Sequence, residues 1–127
     1  MPLLDFGRNQ IAGRLINDPA VQPYSHANAH IGVGDSDSGF QTWHVDLVGS
    51  NKSYRGMDVG YPQRNDNVLT FRATFGVDDA NFNWREWGVF NAAEFGVMLN
   101  RVVEDLGTKP NNQSWQLTVT LTINNPA

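Results

Sequence analysis

The chain has 127 residues, with 40% of them apolar, four Trp, seven Phe and no Cys. A chain this long buries roughly two-thirds of its extended surface, enough for one core, and the missing cysteines exclude disulfides and thiolate metal sites. Nine Lys and Arg against thirteen Asp and Glu give a net charge of −4. The Arg residues are scattered, so the basic stripe that marks a nucleic-acid binder is missing.

Residues 1–25 show no basic start followed by a long apolar run, so no signal peptide is expected. No apolar stretch approaches the roughly 20 residues of a membrane helix. Charged residues make up 17%, below the average of about 25%, and Asn, Thr, Ser and Gln take their place. The expectation is one domain over residues 1–127, with an N-terminal helix and arm at 1–27 and a β-rich core at 28–127.

Asp5 to Asn17 is the one helix candidate. Phe6, Ile11, Leu15 and Ile16 fall near one face, Asp5 is placed as the N-cap, and Asn17-Asp18-Pro19 stops the helix. Pro19 to Asn28 reads as loop. His30 to Gly34 reads as a short strand entering the turn Asp35-Ser36-Asp37-Ser38-Gly39. Phe40 to Val48 is expected to pair next, with Asp46-Leu47 alternatively on a helical turn. Gly49 to Pro62, broken by Gly56, Gly60 and Pro62, is expected to be irregular.

Two segments alternate with period two. In Val68 to Phe75, Leu69, Phe71, Ala73 and Phe75 share one face; in Ser114 to Asn124, Trp115, Leu117, Val119, Leu121 and Ile123 do so. Thr fills the opposite faces, as suits a polar strand surface. Between them, Asn83 to Phe90 and Gly96 to Val103 are expected to form a hairpin around Asn91-Ala92-Ala93-Glu94, and Gly107 to Asn112 a turn-rich link. The fold class is therefore mainly β: a compact antiparallel β-sandwich or barrel-like domain with one N-terminal helix.

The chemistry-bearing groups are sparse. Asp35 and Asp37 have the Asp-x-Asp look of a calcium loop, but the fifth and sixth positions are Gly39 and Phe40 and the twelfth is Asp46, so a tight turn explains them better. His26 and His30 are four apart but on strand or loop, with His44 the only other His. Asp78-Asp79 and Glu104-Asp105 are adjacent acids, and adjacent strand residues point to opposite faces, which does not make a glycosidase pair. No nucleophile elbow or phosphate loop is present. Neither a catalytic residue nor a metal or cofactor is expected, and the chain reads as not an enzyme. Trp84, Trp87 and Trp115 are either core filling or a platform for sugar or bases, core being the default for Trp at strand spacing.

On Asn83 to Phe90, Trp84, Glu86 and Gly88 would share one face, and Arg85, Trp87 and Val89 the other. Trp on both faces predicts burial on both sides. Glu86 among aromatics then needs a cation, since an unpaired buried carboxylate is costly. Arg72 or Arg101 is placed to supply a bidentate one.

From Asn28 to Thr122 the chain resembles a family of short tailed-bacteriophage proteins. The resemblance rests on Ala29 to Asp35, Met57 to Pro62 (MDVGYP), Leu69 to Phe75 (LTFRATF), Ala80 to Asn91 (ANFNWREWGVFN), Met98 to Val103, Leu106 to Lys109 and Ser114 to Leu121. They are spread in one order over a span of about three-quarters of the chain. The segment with Phe82, Trp84, Glu86 and Gly88 is also similar to one in phage tail-fibre and tail-collar proteins. The resemblance implies a virion structural protein, assembled in the host cytoplasm. As a capsid cement or decoration protein it would bind the major capsid protein or other virion proteins as a homo-oligomer, usually a trimer, with no nucleic-acid or membrane partner. A tail-fibre, baseplate or neck component is the close alternative; a carbohydrate-binding module and a small hydrolase are alternatives of other classes.

Overall fold

The structure, a computed structural model, describes residues 3–124. It is mainly β, with one short N-terminal helix, α1 (Asp5–Leu15), and seven strands: β1 (His30–Gly34), β2 (Lys52–Gly56), β3 (Gln63–Asn65), β4 (Val68–Phe75), β5 (Asn83–Phe90), β6 (Val102–Thr108) and β7 (Trp115–Thr122). They form two antiparallel sheets, ordered β2-β1-β5-β6 and β3-β4-β7. No barrel closes. Among the described residues no helix is long and apolar enough to cross a membrane.

The alternating segments β4 and β7 pair along their whole length, Val68 with Thr122 through Phe75 with Trp115. Their apolar faces (Phe71, Ala73, Phe75, Val119, Leu121) pack on Ile31, Val33, Trp84, Trp87 and Val89 of the larger sheet to make the main core. Phe75, Trp84 and Trp115 meet edge to face, with centroids 4.9 and 5.1 Å apart, the arrangement that ring quadrupoles favour. The Trp84 indole N–H donates to the Ala80 carbonyl at 2.9 Å, so its one polar atom is satisfied.

The larger sheet is buried on its other face as well. There Leu4, Leu47, Phe90 and Met98 form a second cluster, beneath the N-terminal segment and the loop at 35–51. Glycines make the room. A Cβ at Gly32 would lie 2.8 Å from the Phe90 and Tyr54 rings, and one at Gly88 would lie 2.5 Å from the Asn100 carbonyl.

Several expectations are corrected. The helix ends at Leu15 and its N-cap is Leu4, with no side-chain cap; Asp5 instead lies in the first turn and pairs with Arg8. The apolar residues Phe6, Ile11, Leu15 and Ile16 face outward, 38–86% exposed. Gly7 is the buried helix residue, set against the Leu99 backbone, because only a residue without a side chain lets the helix approach so closely. Phe40 to Val48 forms no strand, and β2 arises inside the segment expected to be irregular. The strand expected at Gly96–Val103 begins at Val102; before it lie single bridges from Met98 to Phe90 and from Asn100 to Leu3.

Candidate functional site: a stapled loop and an apolar groove

Glu86 and Arg101 are both fully buried, and the Arg101 Nε donates to Glu86 Oε1 at 2.8 Å. The carboxylate also accepts three backbone N–H groups: Val48 on Oε1 at 2.8 Å, and Gly49 and Ser36 on Oε2 at 2.7 and 3.2 Å. Arg101 Nη1 donates to the Ser38 carbonyl at 2.9 Å. One ion pair thus pins both ends of the 36–49 loop onto β5. The arrangement binds and orients backbone; no polar atom of Glu86 is left facing solvent.

Of the two cations proposed for Glu86, Arg101 is therefore the partner, through one N–H and not as a bidentate fork. Arg72 is committed elsewhere. Its Nε donates to Asp58 Oδ2 at 3.0 Å and its guanidinium lies 4.2 Å over the Tyr61 ring. Thr74 and Gln116 donate to the same Asp58 oxygen.

Trp on opposite faces of β5 is also corrected. The β5–β6 register shifts between Trp84 and Glu86. Trp84 and Trp87 consequently enter the same main core, while Glu86 reaches the opposite face with Gly88. A bulge changes which way successive side chains point, so strict alternation fails across it. Trp84 and Trp87 are 1% and 7% exposed, which leaves neither as a sugar platform; Trp115 is half-buried against Trp84.

The remaining candidates stay apart. Asp35 accepts the Asn51 backbone and side-chain amides at 3.2 and 2.8 Å, and the Asn51 side-chain amide holds its carboxyl below the usual range. Ser36 Oγ accepts the Ser38 N–H. These are turn contacts. His26 Nδ1–H donates to the Tyr61 carbonyl and His30 Nδ1–H to the Asn28 carbonyl. His44 is buried beside the Phe40 and Trp43 rings, and its Nδ1 accepts the Gln41 N–H. Burial, then the Arg101 charge, lowers its pKa. Asp79 is tied to Arg55 and the Gly76 N–H, whereas Glu104 and Asp105 flank Arg85 in a shallow depression. Among the described residues no group of three or more His, Asp or Glu is placed to hold a metal.

What sequence reasoning missed lies next to the helix. A groove of about 830 Å³ runs between Val45, Asp46, Tyr54, Phe90 and the 92–96 segment. A smaller depression of about 220 Å³ adjoins it through Val45 and Gly96 and reaches Phe6 and Val97. Phe6, Val45 and Phe95 around them are 51%, 63% and 101% exposed, and Trp43 is 66% exposed. Exposed apolar groups clustered around a groove carry information that isolated ones do not. The one sequence signal is the row of helix apolar residues on one face, of which Phe6 borders the smaller depression. No family model, no curated protein and no solved structure matches this chain.

Proposed function

We propose that this chain is a bacteriophage virion structural protein: a cement or decoration protein that binds the head shell as a homo-oligomer and stabilises it through protein–protein contacts. It carries out no catalytic step in this reading, and its partners are the major capsid protein or other virion proteins. The phage resemblance between Asn28 and Thr122 motivates the class. The observation that carries the binding role is the apolar groove ringed by Phe6, Val45 and Phe95.

The occupant we propose for that groove is a shell-protein segment bearing an apolar side chain with a basic residue beside it. Asp46 and Glu94 line the same groove, so a cation next to the apolar anchor is complementary to it. Aromatic residues are the usual anchors of such contacts, and Phe95 is wholly exposed among the described residues.

The test is co-sedimentation of the purified protein with undecorated capsids. Wild type is expected to pellet with the shell, and Phe95→Asp to lose at least tenfold in affinity with an unchanged melting temperature. A wild-type protein left in the supernatant overturns the head assignment. The likeness of Phe82 to Gly88 to tail-fibre and collar segments supports a second position in the tail or neck. Copy number separates the two: hundreds per particle for the shell, a dozen or fewer for the tail.

A further inference from the structure

We infer that β7 is the self-association strand, pairing antiparallel with β7 of a second copy about a two-fold axis through Val119. This rests on the homo-oligomer proposed above and names the surface that would build it.

Two sheets leave four edges, and three of them are guarded in the ways that free proteins guard edges. The β2 edge carries Lys52 and Arg55, the β3 edge is three residues long, and the β6 edge carries Glu104 and Asp105 beside its register shift. The β7 edge has none of these. From Ser114 to Asn124 there is no charged residue, no proline and no glycine, and the eight pairs with β4 run without a shift.

The direction of its free amides follows from the register. The Ile123 N–H donates to the Asn67 carbonyl at 2.9 Å. In an antiparallel pair, residues that exchange hydrogen bonds alternate with residues whose N–H and C=O point away. The odd-numbered residues of β7 therefore bond to β4, and the N–H and C=O groups of Gln116, Thr118, Thr120 and Thr122 point out from the edge. The Arg72 carbonyl, bonded by the Asp58 N–H on the far side of β4, fits the same alternation. Among the described residues no backbone hydrogen bond reaches the outward groups of β7.

A strand meeting its own copy about a two-fold must satisfy one register rule: residue i faces residue 2c − i, where c is the centre. With c at Val119, Thr118 faces Thr120 and Gln116 faces Thr122, so every outward group of the strand finds a partner. Any other centre on a residue sets at least one of them opposite a residue outside β7. The same register keeps each face matched, Thr with polar and apolar with apolar. It also places Ile123, 57% exposed in the single chain, opposite the partner's half-buried Trp115. The two three-stranded sheets then run on as one. A two-fold contact closes on itself, so the product is a dimer and not the trimer that the phage resemblance implies.

Light scattering on the purified full chain tests this, with Thr118→Pro as the first variant. Proline lacks only the outward N–H at this position, so β7 keeps its bonds to β4. The expected result is two chains for wild type and one for Thr118→Pro, with a cooperative melt retained. Should the proline variant fail to melt cooperatively, charge pairs decide. Thr118→Lys/Thr120→Lys faces like charges across the axis and is expected to be monomeric, while Thr118→Lys/Thr120→Glu faces opposite charges and is expected to be a dimer again. An oligomer that survives the double lysine, or a wild type of three chains, overturns the β7 contact and leaves the homo-oligomer standing. A wild type of one chain at all concentrations overturns both.

Discussion

On the inner face of the larger sheet, Trp87 and Val89 meet Ile31, Val33 and the aromatic face of β4. On the outer face of the same strands, glycines lie under a loop held by Glu86 and Arg101. The inner face is specified by volume, since close-packed side chains lose stability in proportion to the space vacated. The outer face is specified by hydrogen bonds, because a buried carboxylate is tolerable only with its donors in place. A single strand, β5, thus carries both kinds of specificity, and each should fail differently when disturbed.

The largest effect is expected from Glu86→Ala. Removing one partner of a buried pair costs about 3–5 kcal/mol, measurable by urea unfolding. Replacing both partners by apolar residues is often neutral, but here it would also orphan the N–H groups of Ser36, Val48 and Gly49. Glu86→Met/Arg101→Met is therefore expected to stay destabilised by about 2 kcal/mol or more. A double variant as stable as wild type would show that the loop does not depend on the carboxylate.

Gly34→Ala comes next. Its Cβ would collide with the Glu86 carboxylate, and overpacking of this kind costs about 1–3 kcal/mol. Calorimetry should show a lowered melting temperature. Arg72→Ala is expected to cost less than about 1 kcal/mol, because its pair with Asp58 is partly exposed and Asp58 keeps Thr74 and Gln116. The contrast between Arg72 and Arg101 is the sharpest check on which arginine matters.

The smallest effect is a pH dependence at His44. Its folded pKa is lowered from the ordinary 6.5, chiefly by burial. Above that value both states are neutral; as pH falls below it, the unfolded chain takes up the proton first, so stability declines until the folded pKa is passed. His44→Gln should flatten this part of the stability profile in denaturation curves taken below about pH 6.5.

The sequence by itself determined β4 and β7, because half-buried strands must alternate and few other structures tolerate that pattern. It also determined that Glu86 needs a cation, since the aromatic residues around it leave no other outcome for a buried charge. Its misreadings have two causes. Edge strands such as β2 and β3 bury little and so carry no apolar period. The inward turn of Gly7, the common burial of Trp84 and Trp87, and the choice of Arg101 over Arg72 each depend on residues distant in the chain. Leu99 sets the helix face, β6 shifts the register of β5, and Asp58 captures Arg72. Only the tertiary structure decided these, because long-range packing fixes which side of an element is inside, whereas local pattern fixes only that it has two sides.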